Sequence, residues 1–444
     1  MKEDPSMTIS IPDNVKIILN RLKNAGFESF CVGGAVRDTI MGLTPVDWDV
    51  TTSALPEEMK SVFSDFKTVD TGLRHGTLTV IIVKTPYEVT TFRIDGEYTD
   101  NRHPENVAFT GNLSEDLARR DFTVNALAYN EETGLVDLYG GLDDIYNGII
   151  KTVGDANARF CEDGLRIMRA LRFSSVLGFE IEENTKRAIH LNKELLKNIS
   201  AERLNVELTK LLQGKNVFNV LTEYPDVLSV FIPEIAPTVN FKQYGKKHAY
   251  DVWEHICHTV DTIPNDRILR LTMFLHDLGK VPTHKLNDKG DSTFKNHAFV
   301  GGEMAKGILT RLKFDKKTIN RVSFLVGCHD FEPPETKTDL KKHLKTKSPD
   351  DIRTLLVIKK SDRGALSEAY RDISEGTART LQWLKEIEEN NECCTISQLA
   401  VNGRDLEKRG LKGEEIGTAL NTLLDAVIEN RVQNTKINLL TYLL

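Results

Sequence analysis

The chain has 444 residues, 40% hydrophobic and 28% charged, with a formal net charge of −7. That length predicts two to four domains, and the negative balance argues against indiscriminate nucleic-acid binding, so an RNA substrate would need a local basic surface. No apolar run approaches the roughly 20 residues that cross a bilayer, and Met1-Lys2-Glu3-Asp4-Pro5 has no signal-peptide core, so a cytoplasmic protein without a membrane partner is expected.

Short β-rich runs alternate with helical ones over residues 1–150. Residues 30–32 read as a strand that turns at Gly33-Gly34, where two glycines let backbone amides approach a ligand, with Arg37-Asp38 just beyond. Residues 47–50 read as a second strand. The i, i+2 spacing then places Asp47 and Asp49 on one face. Two neighbouring carboxylates repel unless a cation sits between them, and Mg²⁺ favours a few carboxylates together with substrate phosphates. Residues 56–63 are expected to be helical and 76–82 and 88–92 to be strands, with Glu88 a candidate third carboxylate. The polar stretch 91–104 holds Gly and Pro without a period and predicts a mobile loop. Residues 113–129 are expected to be helical and carry Arg119-Arg120-Asp121-Phe122-Thr123-Val124-Asn125-Ala126. An arginine fork suits phosphate or ribose oxygens, and Asp121 can accept from a hydroxyl.

Beyond about Asp155 strand signals nearly vanish and helical spacing runs to Leu444. The chain is therefore expected to be α+β, a small α/β domain ahead of a larger helical part. Residues 162–173 predict a helix on which Asp163, Arg166, Arg169 and Arg172 recur every three residues as one polar stripe. Three arginines on a stripe repel and call for anions, which a nucleoside triphosphate supplies. An acid accepts from an exocyclic amine and an arginine donates to ring acceptors, so Asp163 and Arg166 can read the edge of C or A. Pro233, Pro237 and the 242–247 stretch suggest a boundary near 235–245, and the charged 385–391 stretch another near 385–395. Seven of the eleven histidines lie within residues 248–329. The six cysteines form no Cys-x-x-Cys and indicate neither a zinc ribbon nor a disulfide framework, and Cys31 and Cys257 are expected to pack as small hydrophobes.

Taken in order, Gly-Gly-x-x-Arg-Asp, Asp-x-Asp, Arg-Arg-Asp-Phe-Thr-x-Asn-Ala, Asp137-x-x-x-Gly141-x-x-Asp144 and Glu-Asp-x-x-Arg resemble the bacterial class II tRNA nucleotidyltransferases. That group comprises the CCA-adding enzymes and their relatives the bacterial poly(A) polymerases. The 203–207 segment is similar to the family's next element, and 401–434 to its tRNA-gripping tail. The resemblance implies a polymerase-β-like head over 1–150, a helical neck over 151–235, a body over 236–385 and a tRNA-binding tail over 386–444. It implies that Asp47 and Asp49 are catalytic and hold two Mg²⁺, with Gly34 and Arg37 at the triphosphate; Glu88, from its place on a strand, is the candidate third catalytic carboxylate, and Gly33 belongs to the same nucleotide-facing turn. Arg120 and Asp121 would meet the nucleotide's ribose or phosphates, Asp163 and Arg166 would select C or A, and Arg169 and Arg172 would steady it. CTP, ATP and tRNA are the implied substrates.

His255, His276-Asp277, His297, His329 and Asp362, separated by helical text, can gather around one or two transition-metal ions. His276-Asp277-Leu278-Gly279-Lys280 and Ser361-Asp362-Arg363-Gly364-Ala365 resemble the HD phosphohydrolase superfamily, implying a second, phosphoester-cleaving activity. His248, His258, His284 and His343 have no place in that set. Two readings compete with addition of C, C and A: adenylation alone, and a chain that is primarily a hydrolase. The stretch 93–104 favours full CCA addition over a CC-adding enzyme.

Overall fold

An eight-stranded sheet organises the first third of the chain. Its strands are β1 (Lys2–Asp4), β2 (Ser29–Val32), β3 (Asp49–Thr52), β4 (Lys67–Val69), β5 (Thr77–Ile82), β6 (Thr85–Thr91), β7 (Leu127–Asn130) and β8 (Gly134–Asp137), ordered β1-β8-β7-β2-β3-β6-β5-β4. Every neighbouring pair is antiparallel except β3 and β6. That parallel pairing sets Asp49 opposite Glu88. This computed structural model describes residues 2–4, 8–95 and 107–443. They divide into two units, Met1–Ala236 with Arg311–Phe314, and Pro237–Thr310 with Asp315–Leu444.

In the first unit, sequence period decides which face is buried. Helix α1 (Asp13–Asn24) buries Val15, Ile18, Leu19 and Leu22, the i, i+3, i+4, i+7 spacing of a core-facing stripe. On β5, Leu78, Val80 and Ile82 alternate inward, the period of two of a strand buried on one face. Helix α2 (Gly34–Ile40) leaves β2 directly through Gly33, whose φ of 72° and ψ of −134° is a backbone state that a side chain disfavours.

Four expectations are corrected. Strand β3 begins at Asp49, so Asp47 precedes it. The stretch 91–104 opens with strand structure, β6 and then Arg93–Asp95 paired with Val107–Phe109; the remainder, from Gly96, lies outside the described residues. Residues 113–129 form a short helix α3 (Leu113–Ala118), a 3₁₀ turn (Thr123–Asn125) and then β7. The Asp121 carboxylate accepts from the Phe122 amide at 2.8 Å and from Asn125 Nδ2 at 3.1 Å, a side-chain alternative to helical bonding. Residues 162–173 also break, into α4 (Ala156–Glu162) and α5 (Leu165–Leu177). Asp163 sits between them in extended conformation, its Oδ1 accepting from the Leu165 amide at 3.0 Å, as acids do at helix starts.

The second unit is helical apart from the pair Lys285–Leu286 and Ser292–Thr293. Five helices matter below: α6 (Val252–Thr262), α7 (Arg267–Leu275), α8 (His297–Arg311, all but its last residue in this unit), α9 (Lys316–Gly327) and α10 (Pro349–Gly364). Near the C-terminus Leu399, Val401, Leu423, Leu424, Ile428 and Leu439 form a separate core with Cys393. All six cysteines are free; Cys31 and Cys257 are buried. Among the described residues no helix is long and apolar enough to cross a membrane.

Candidate functional site

The first unit opens a cavity of about 920 Å³ lined by Gly33, Gly34, Arg37, Asp47, Asp49 and the arginines of α5, among others. Asp47 and Asp49 are exposed, while Trp48 between them and Val50 after them are buried. Both carboxylates thus share the cavity face, although only Asp49 is in the sheet. Asp49 holds its proton more tightly than an ordinary aspartate. Crowding by the cavity walls is the first cause and the charge of Glu88 the second; Arg120 opposes them, and Asp47 adds to them. Two neighbouring carboxylates whose charge disfavours ionisation of Asp49 make with it a donor set for a divalent cation, so Asp47, Asp49 and Glu88 fit Mg²⁺.

The expected arginines line the cavity, and each already has a protein carboxylate. Arg37, 7% exposed, donates from Nε and Nη2 to Asp38 Oδ1 at 2.9 and 2.6 Å, and from Nη1 to Asn125 at 2.5 Å. Arg120 pairs with the fully buried Asp116 at 3.3 Å, and its Nη1 lies 3.2 Å from where a Cβ on Gly33 would sit. Arg166 pairs with Glu162 at 2.6 Å, Arg169 with Asp121 at 2.5 Å, and Arg172 with Glu207 at 3.2 Å. Asp163 faces Arg203 at 2.7 Å. Burial works against the Asp121 charge, but Arg169 and the hydrogen bonds from Asn125 and Arg169 prevail and lower its pKa to about 2.

The anion-hungry stripe expected from sequence is therefore a set of ion pairs, because Asp121, Glu162 and Glu207 come from three different segments. Sequence reasoning also missed Phe173, whose ring has the guanidinium carbons of Arg37, Arg169 and Arg172 at 5.1, 5.4 and 4.1 Å. Its position, one residue past the last arginine of the stripe, was the available signal. Asp116 and Glu207 carried none, since buried acids look like solvated ones until the fold is known.

In the second unit the five predicted positions converge. His255 is on α6, His276 and Asp277 follow α7, His297 begins α8, His329 follows α9 and Asp362 is on α10. His255 Nε2 is 3.0 Å from Asp362 Oδ1 and 3.3 Å from Asp277 Oδ2; His276 Nε2 is also 3.3 Å from Asp277 Oδ2. On the other side, His329 and His297 Nε2 lie 3.4 and 3.8 Å from Asp277 Oδ1. Burial opposes protonation of His276, yet the charge of Asp277 and hydrogen bonds to Asp277 and Asp362 raise its pKa to about 9. The other histidines make ring or hydroxyl contacts instead, His258 stacking on Tyr250, His284 bonding Ser292, His248 edge-on to Phe294 and His343 edge-on to Phe331.

Comparison with known proteins gives this arrangement a class. Residues 29–151 match the Poly A polymerase head domain, 178–237 the probable RNA and SrmB-binding site of polymerase A, and 298–443 the putative tRNA nucleotidyltransferase domain 2. The fold is that of a polymerase-A head followed by helical segments of the same family. The CCA-adding enzyme of Lactobacillus helveticus is 35% identical over 422 residues, covering 94% of this chain and 93% of that one, and the chain belongs to the CCA-adding enzyme family. The CCA-adding enzyme of Ligilactobacillus salivarius is 50% identical over 220 residues; the match spans about half of each chain, 49% of this one and 54% of that. The Bacillus stearothermophilus CCA-adding enzyme in complex with CTP superposes with a TM-score of 0.72 at 28% identity, over 98% of this chain and 97% of that.

Proposed function

We propose that this chain adds C, C and A in turn to the 3′ end of tRNA, from CTP and ATP, by two-metal nucleotidyl transfer. The observation that carries the reading is the meeting, in one cavity, of the Asp47–Asp49 face with the Gly33–Gly34 turn and the arginines of α5. The full-length likeness to a named CCA-adding enzyme and the likeness to one complexed with CTP support it. Asp47 and Asp49 would hold Mg²⁺, with Glu88 beside them. Such ions lower the pKa of an attacking hydroxyl and offset charge on departing pyrophosphate. Arg37 and Arg120 offer their donors to phosphate or ribose oxygens beside the bare backbone at Gly33 and Gly34. Asp163, held by Arg203, accepts from the exocyclic amine that C and A share and G and U lack in that position. Arg166, held by Glu162, donates to a ring acceptor. Asp121 fixes Arg169, and Glu207 fixes Arg172, at the cavity wall. The head would occupy 1–150, the neck 151–235 and the tail 386–444, where tRNA binds.

The test is end-sequencing of a tRNA transcript lacking CCA after incubation with CTP and ATP. Termination at CCA is expected. A single A or an A-tail would replace this reading by adenylation.

A second activity is favoured by the His/Asp cluster, in the body over 236–385. We infer a metal-dependent HD-type phosphohydrolase there, with His255, His276, Asp277, His297, His329 and Asp362 as ligands of a transition metal. Phosphate release from phosphoesters by the metal-loaded protein, lost in Asp277→Ala, is its test.

A further inference from the structure

We infer that Lys210 binds the terminal phosphate of the nucleoside triphosphate and then the pyrophosphate that leaves. This rests on the nucleotidyl-transfer reading above and names a residue for the charged end of its substrate. The cations that line the cavity of the first unit are of two kinds. Its arginines are all matched by protein carboxylates: besides the pairs described above, Arg119 meets Asp116 at 2.8 Å. Lys210 is exposed on the same wall and has no carboxylate partner among the described residues.

Position along the wall gives this ammonium its ligand. Lys210 belongs to the helix Ala201–Leu212, which packs on α5. Their contacts pair in rising order, Arg203 with Asp163, Glu207 with Arg172, and the Leu211 carbonyl with Ser175 Oγ, which donates to it at 2.7 Å. The two helices therefore run in the same direction. Arg203, Glu207 and Lys210 are spaced four and three residues apart and share one face. Seven residues of helix carry the wall about 10 Å from Arg203 to Lys210. Asp163, held by Arg203, is thus at one end of the wall, and Lys210 with Val176 and Leu177 of α5 is at the other. Between them Arg37 reaches in from α2, its guanidinium carbon 5.1 Å from the ring centre of Phe173, the residue after Arg172. A nucleotide whose base meets Asp163 and whose phosphates meet Arg37 directs its terminal phosphate onward to Lys210.

Charge selects that phosphate over the RNA backbone. At neutral pH a terminal phosphate carries about two negative charges and a backbone phosphodiester one. An unmatched ammonium gains most from the more charged group, whereas the paired arginines add direction with little net pull. The type of cation matters as well. A guanidinium fork held by an acid suits a group that stays in place; an ammonium on a flexible stem can follow one that departs. In the transfer the RNA 3′-hydroxyl oxygen bonds to the α-phosphorus and gives its proton to solvent. The bond from that phosphorus to the bridging oxygen breaks, and its electron pair leaves with pyrophosphate, at the end of the cavity where Lys210 stands.

Equilibrium binding of CTP and of CMP to the full chain, with Mg²⁺ and without RNA, separates the phosphate end from the base end. Lys210→Gln should weaken CTP about tenfold and leave CMP unchanged, with Lys210→Arg recovering most of the loss. In steady-state addition to a tRNA lacking CCA, the same variant should raise KM for CTP and ATP alike and weaken inhibition by pyrophosphate, each by about tenfold. KM for the tRNA and the preference for CTP over UTP should hold. Unchanged CTP affinity in Lys210→Gln, beside a wild type that binds CTP, overturns the inference alone. Equal weakening of CTP and CMP overturns it too, since the base end has then been disturbed. A rise in KM for the tRNA without one for CTP overturns it in favour of an RNA-backbone contact. A wild type that binds neither nucleotide overturns the nucleotidyl-transfer reading as well.

Discussion

Replacing Asp121 by asparagine removes one charge from the wall of the first unit's cavity while keeping its shape. The residue is 8% exposed and accepts from the Phe122 amide, Asn125 Nδ2 and Arg169 Nε at 2.8, 3.1 and 2.7 Å. Its pKa falls from an ordinary 3.8 to about 2. A drop of that size is worth roughly 2 kcal/mol of folding stability at neutral pH. The Arg169 side chain is one-third exposed, so water screens part of the pair. A loss of about 1–2 kcal/mol is expected. The folded pKa is the lower one, so this stability is complete above about pH 4 and is lost as pH falls toward 2. Urea-dependent hydrogen exchange of peptides from residues 119–137, corrected for intrinsic rates, reads it within the first unit. Asp121→Asn should exchange from a less stable state at pH 7, and the gap to wild type should narrow below pH 4. Equal protection at pH 7, or a gap indifferent to pH, would refute the reasoning.

Asp49→Asn should cut nucleotide incorporation by about three orders of magnitude, or ~4 kcal/mol of barrier, while the melting temperature holds or rises because repulsion with Glu88 is relieved. Gly33→Ala must take a disfavoured positive φ and crowd Arg120 Nη1 at 3.2 Å. A cost of about 1–2 kcal/mol and a higher KM for CTP are expected from unfolding and steady-state kinetics. Gly279→Ala would place a Cβ 2.2 Å from the His297 carbonyl and 2.6 Å from the Gly301 amide. Destabilisation of the second unit by ~3 kcal/mol and loss of bound Co²⁺ should follow, measured by calorimetry and metal content. Arg203→Ala frees the Asp163 carboxylate; CTP over UTP discrimination should fall about tenfold, with stability changed by no more than ~1 kcal/mol, since the pair is partly exposed.

Short-range order made parts of this molecule legible. The buried–exposed alternation at 47–50 announces a shared carboxylate face whether or not the chain has yet entered the strand ladder, so the face survives although β3 starts at Asp49. Five scattered histidine and aspartate positions of the second unit could be grouped because their order along the chain resembles that of the HD phosphohydrolases. The break at Asp163 was hidden by helical spacing on both sides: residues 156–162 and 165–177 are both helices, and the local bond from Asp163 to the Leu165 amide competes at one position only. The segment 119–129 failed for a related reason. Its apolar residues fit a helix period, but their partners are strands and turns distant in sequence, and β7 is pulled into the sheet beside β2. Pair identities were the least legible. Asp121 with Arg169 and Glu207 with Arg172 are separated by 48 and 35 residues, distances over which charge pattern carries no register.

Those pairs also bear on selectivity. A cavity walled by free arginines would draw any polyanion, and a nucleotide could lie in it in many orientations. Here Arg37, Arg120, Arg166, Arg169 and Arg172 are each held by an acid, so their directions are set before a ligand arrives and their net pull is small. Binding then depends on fixed donors meeting acceptors at the right places, which costs no reorganisation at the moment of reaction. The same logic applies to the base. Asp163 is fixed on one side by Arg203 and on the other by the Leu165 amide. A carboxylate so constrained cannot swing to suit a carbonyl-bearing edge, and a U placed against it would set oxygen against oxygen. Acceptor set against acceptor rejects more strongly than a mere loss of attraction does. Under the proposed function the break at Asp163 matters, because within a continuous helix its carboxylate would ride on the stripe with the arginines and pair with them.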